Sequence, residues 1–140
     1  MKRLLLAIGM ITLVGCAAWA YETWSGYITT YRLSTHMQKL NEDEDNLFYA
    51  LQQYHERMGV YPSGGNADIA KALSGNNSRS LIILVGRHQD LNDKGEFVDP
   101  WGTPLRIYFA GDSILIRCAG PNKRFDDSSV LNSDDIYRSN

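Results

Sequence analysis

Leu47-Phe48-Tyr49-Ala50-Leu51-Gln52-Gln53-Tyr54-His55-Glu56-Arg57-Met58-Gly59-Val60-Tyr61-Pro62 is the stretch that decides how this chain folds. Leu47, Leu51, Tyr54 and Met58 recur at steps of three and four, which gathers apolar side chains on one face of a helix. Leu40, Met37 and Leu33 carry the stripe backwards, and neither Pro nor Gly interrupts it between Tyr31 and Met58. Glu44 takes the one position in the stripe that is not apolar. Gly59 supplies a C-cap, and Pro62 stops the helix by disfavouring α geometry at Tyr61. The run Glu42-Asp43-Glu44-Asp45 reads as a solvated face where the helix leaves its own core. Residues before it are expected to project toward a membrane, and Leu47 to Met58 to pack on the rest of the domain.

Beyond the helix, Ser63-Gly64-Gly65-Asn66 leads into a short helical stretch over Ala67 to Leu73 and then a polar Gly/Asn/Ser loop, within a variable segment spanning 59–95. Leu81-Ile82-Ile83-Leu84-Val85 is a short apolar run that fits a buried strand or a turn of helix, which periodicity does not separate, and is read as a strand. Asp99-Pro100-Trp101-Gly102 is a rigid turn: Pro100 sets its own φ, Gly102 accepts φ > 0, and Trp101 offers a large apolar anchor. Leu105 to Phe109 and Ile114 to Cys118 read as strands joined by Ala110-Gly111-Asp112-Ser113 as a hairpin loop. Ile114, Ile116 and Cys118 share a face, which makes Cys118 a small buried residue. Gly120 to Asn140, poor in apolar residues and rich in Asp, Asn and Ser, reads as a loop.

With 140 residues and 44% hydrophobic composition, the chain has room for one domain with a real core. A net charge of −2 and no basic cluster longer than a pair exclude a nucleic-acid footprint. Cys16 and Cys118 lie far apart and build neither a disulfide framework nor a zinc site. His36, His55 and His88 are dispersed, and there is no nucleophile elbow and no P-loop, so the chain is not read as an enzyme.

The N-terminal segment, residues 1–25, carries the targeting signal. Lys2 and Arg3 precede an uncharged run from Leu4 to Tyr21. Read as a transmembrane helix, the run spans the hydrocarbon, the basic pair stays cytoplasmic, and Trp19, Tyr21, Trp24 and Tyr27 form an aromatic belt on the far side. Read as a lipoprotein signal, Leu13-Val14-Gly15-Cys16 is similar to a lipobox, with Cys16 as the acylated residue. Read as a cleaved signal peptide, Ala18-Trp19-Ala20 supplies small residues after a short apolar core. All three place the remainder outside the cytoplasm, in the periplasm of a didermal bacterium.

The order of these features resembles a known family. A membrane segment, a long helix ending in Gly59-Val60-Tyr61-Pro62, Asp99-Pro100-Trp101-Gly102, a hairpin, Ala119-Gly120-Pro121-Asn122 and Asp134-Asp135-Ile136 together look like the major, G-type pseudopilins of type II secretion systems, from about residue 30 to 137. The resemblance implies an α+β, pseudopilin-like fold with a long N-terminal helix (26–58 of the periplasmic part) packed on a small antiparallel sheet within 96–140. It also implies a non-enzymatic subunit or accessory of a secretion filament, self-associating or joining other pseudopilins through that helix at the inner membrane. Trp101 is then expected to lock the sheet onto Leu47 to Met58. In the family the acidic loop after the last strand binds calcium; here Asn122, Asp126, Asp127, Asp134 and Asp135 are the residues that would supply oxygen ligands, the alternative being a solvated acidic tail. Two features depart from the family pattern. The prepilin cleavage signature is missing, with Gly9 near the place of its glutamate, and Asn122-Lys123-Arg124 stands where the family has Asp-Gly. The alternative reading is a periplasmic binding or scaffold module of the same fold, lipid-anchored through Cys16.

Overall fold

The structure is a computed structural model that describes residues 2–83, 91–126 and 133–139, with side chains from residue 16 onward. The chain divides into two compact units, Met1–Met37 and Gln38–Asn140.

The first unit consists of the N-terminal part of helix α1, which runs Lys2–Met58. Trp19, Tyr21, Trp24, Tyr27 and Tyr31 are exposed on it, and Tyr27 stacks on Tyr31. Its hydroxyls turn back onto the helix: Thr29 Oγ1 donates to the Ser25 carbonyl, Thr30 to Gly26 and Thr35 to Tyr31. Among the described residues no helix is long and apolar enough to cross a membrane. Most of the uncharged run Leu4–Tyr21 expected to form the anchor has side chains outside the described residues.

The second unit is α+β. It holds the C-terminal part of α1, a short helix α2 (Asn66–Leu73) and three strands, β1 (Arg106–Ala110), β2 (Ser113–Cys118) and β3 (Ile136–Ser139), paired antiparallel in the order β1-β2-β3. The apolar stripe of α1 builds the core as its spacing requires. Leu40, Leu47, Leu51 and Tyr54 are buried in one cluster with Ile69 and Leu73 of α2, Phe97, Leu105, and Ile114, Ile116 and Cys118 of β2. Each fully buried Leu, Ile or Phe contributes about 1.5–3 kcal/mol. Gly59 caps the helix at φ +77, its N–H bonded to the His55 carbonyl. Gly111, at φ +58, is the first central residue of the β1–β2 turn, the position where a type II′ turn takes glycine.

Four expectations need correction. The segment after Gly120 is not all loop, because Ile136–Ser139 pairs with β2, setting Ile136 opposite Cys118 and Arg138 opposite Ile116. Residues 81–83 are not a strand; Leu84 and Val85 lie outside the described residues. The backbone there is satisfied by other partners: the Asn77 side chain bonds the Leu81 N–H and carbonyl, and the Ile83 N–H donates to Leu73. The acidic run is not a solvated face throughout, since Glu44 is only 2% exposed, and helix packing begins before the run, at Leu40. The stripe's 3.6-residue period carries Glu44 inward regardless of its charge.

Candidate functional site

The residues marked by the sequence fall into three places. At the end of α1, Pro62 is buried, and the Tyr61 ring stacks between His55 (centroids 4.3 Å apart) and Phe109 of β1 (4.7 Å). The Tyr61 hydroxyl donates to the Asp112 carbonyl in the hairpin turn at 3.1 Å. Burial, and then the nearby Asp112 charge, push the phenol above its ordinary pKa. Tyr61-Pro62 therefore ties the helix end to the hairpin.

Around Asp99 the turn is organised by a buried carboxylate. Asp99 Oδ1 accepts the N–H groups of Trp101 (3.0 Å) and Thr103 (2.8 Å), and the Gly102 N–H closes on the Asp99 carbonyl at φ +89. Pro100 and Trp101 are half-buried, Trp101 against the core cluster. Asp99 Oδ2 accepts from the Cys118 thiol at 3.3 Å, and Cys118 Sγ accepts the Gly120 N–H at 3.3 Å. Burial pushes the Cys118 thiol well above its usual range, so it stays protonated and acts as a donor. Asn66, at the start of α2, clasps the strand-like flanks of this turn. Its Nδ2 donates to the carbonyls of Phe97 (2.9 Å) and Leu105 (2.8 Å), and its Oδ1 accepts the Phe97 N–H (2.7 Å). Sequence reasoning placed Asn66 only in a loop. A polar residue bonding across 31 and 39 positions leaves no local signal.

The third place is the acidic turn before β3. Asp126, Asp134 and Asp135 present carboxylate oxygens within 4.8 Å of one another, and Asn122 joins them; Asp127 lies outside the described residues. Asn122 N–H donates to Asp134 Oδ2 (3.0 Å), Asn122 Nδ2 to Asp126 Oδ2 (3.2 Å), and the Asp126 N–H to both oxygens of Asp135 (3.3 Å). Gly120 is required beneath them: at φ +70, a Cβ there would overlap the Asp134 backbone carbonyl. Asp134 Oδ1 is buried without a hydrogen-bond partner among the described residues. Calcium would need six to eight oxygens. The group bound to Asp135, however, is the guanidinium of Arg117, with Nε 2.6 Å from Oδ2 and Nη2 bonded to the same carboxylate and to the Asp126 carbonyl. That hydrogen bond holds Arg117 still more firmly protonated than usual. A fixed cation on the central carboxylate does not fit a resident calcium ion.

Glu44 is the ionisable group that the sequence reading left on the surface. Its Oε1 is buried without a partner among the described residues. Burial pushes its pKa up to about 7, Arg138 pulling it down and Asp45 adding to the rise. Arg138 itself pairs with Asp45 across from β3 to α1. Cys16 is exposed on α1, in the first unit. No known protein family, curated protein or solved structure matches the chain.

Proposed function

We propose that this chain is a pseudopilin-like, non-enzymatic subunit or accessory of a type II secretion or related filament system, held at the bacterial inner membrane by its N-terminal segment with the Gln38–Asn140 unit in the periplasm. The observation that supports this reading is the order of parts along α1, α2, the Asp99 turn and the β1–β2–β3 sheet, in which Tyr61-Pro62 and Asp99-Pro100-Trp101-Gly102 each occupy a joint of the core. The chemistry of the joints agrees with it. Protonated Cys118 and the buried Asp99 act on each other and on backbone, which builds a scaffold rather than a reacting pair.

A second reading rests on Cys16, which is exposed and closes the lipobox-like Leu13-Val14-Gly15-Cys16. In it the same head is carried by an acylated cysteine and works off the filament. Intact mass of the membrane-extracted protein separates the two. A full-length mass supports the retained helix, and loss of the first fifteen residues with an added lipid mass supports Cys16. Recovery of the whole chain in the soluble cytoplasmic fraction would overturn both. Cysteine cross-linking between copies, or to pseudopilins of the same cell, tests the assembly role; a chain that yields neither is no filament subunit.

A further inference from the structure

We infer that the acidic turn takes its cation from its own sheet: the guanidinium of Arg117, rather than a bound metal ion, holds Asp126 and Asp135 against β2. The Arg117 clip is the same whatever the chain's cellular role. The Asp135 side chain is 0% exposed, and a carboxylate removed from water needs a paired and hydrogen-bonded counter-charge. Arg117 meets that need with a fork. Nε and Nη2 both reach Asp135, and Nη2 also bonds the Asp126 carbonyl, so a single side chain ties together two positions nine residues apart. The planar group is held in place by rings, Phe125 at 5.2 Å and Tyr137 at 5.4 Å from its carbon. Such a fork suits arginine and would not be reproduced by lysine.

The clip has a consequence for the sheet. Ile136, the first residue of β3, follows Asp135 directly and registers with Cys118, next to Arg117 on β2. Holding Asp135 therefore sets where β3 begins to pair. A dication on the same carboxylate would face a fixed positive charge at hydrogen-bond distance, so the turn does not wait for a metal to order it.

The test uses the full-length protein in mild detergent, melted by near-ultraviolet circular dichroism in chelator and in millimolar calcium chloride. Wild type is expected to melt at the same temperature in both. A resident calcium site saturated about a hundredfold would raise Tm by roughly 10 °C, and a shift of that kind would overturn the inference. Arg117→Gln, which strands the buried carboxylate, is expected to lower Tm in chelator by about 8 °C or more; an unchanged Tm would equally overturn it. The double variant Arg117→Gln/Asp135→Asn removes both charges and should regain part of the loss. If it melts no higher than the single variant, Arg117 contributes packing and not charge.

Discussion

Replacing Glu44 by Gln is the sharpest perturbation this fold offers. Glu44 sits in the apolar stripe of α1, 2% exposed, and burial lifts its pKa from 4.5 to about 7. The unfolded chain carries the ordinary value. Between pH 4.5 and 7 the folded protein therefore holds a proton that the unfolded protein has released, and stability falls as pH rises through that window. The contribution is fully present below pH 4.5 and lost above about 7. A difference of 7 − 4.5 = 2.5 pKa units corresponds to about 3 kcal/mol at 1.36 kcal/mol per unit. Gln has the same shape and no titration, so the variant should match wild type near pH 4.5 and exceed it by up to about 3 kcal/mol at pH 8.5. Urea unfolding across that range measures the difference between the two proteins, and every other titrating group cancels in it. A flat difference curve, or one that grows toward acid, would show that Glu44 does not hold its proton by burial. Arg138→Gln removes the charge that holds the value down, and should move the midpoint of the curve to higher pH.

Three further outcomes follow from the joints of the core. Asn66→Ala leaves the Phe97 N–H and the Leu105 carbonyl without their partner, and leaves the Phe97 carbonyl only the Leu105 N–H; it should cost about 2–4 kcal/mol in urea unfolding, whereas an exposed polar substitution would cost under about 0.5. Tyr61→Phe keeps the stack and loses one hydrogen bond, for about 1 kcal/mol or less; Tyr61→Ala also loses the contacts to His55 and Phe109 and should cost about 3 kcal/mol in the same assay. Iodoacetamide should modify the exposed Cys16 of unprocessed native protein and spare Cys118, whose thiol is buried and protonated, so that intact mass reads one adduct before denaturation and two after.

The long helix, its cap, α2 and the β1–β2 hairpin were legible because each is encoded locally, by a 3.6-residue or two-residue period closed off by Gly or Pro. The burial of Cys118 followed from the same alternation. β3 was not legible, because in Ile136-Tyr137-Arg138-Ser139 only Ile136 is half-buried and the rest is exposed; pairing to β2 makes it a strand. Leu81 to Ile83 failed in the opposite sense, an apolar run whose backbone is taken by Asn77 and Leu73. In the acidic turn, Asn122, Asp126, Asp134 and Asp135 lie together, but the cation among them is Arg117 of β2, a residue the sequence did not single out.

The two acidic runs turn out to have one logic. Asp45, from the run on α1, pairs with Arg138, and Asp135, from the turn, pairs with Arg117. Arg117 registers with Tyr137, so Arg138, the next residue along β3, points to the opposite face of the sheet. One arginine reaches inward to the helix and the other outward to the turn. Hydrophobic burial, which ordinarily specifies register, has little to act on in β3, where Ile136 is the lone half-buried apolar side chain. A slip of one residue would send Arg138 to the outer face, leaving Asp45 and the buried Glu44 without the cation that now faces them. In this strand charge pairing does the work that apolar alternation does in β2. Deleting Ser133, two residues before the clipped Asp135, should therefore leave β3 in register, since Asp135 and Arg138 set it; a β3 displaced by one residue, read from the hydrogen-exchange pattern of its amides, would show that the length of chain between Asp126 and Asp135 decides instead.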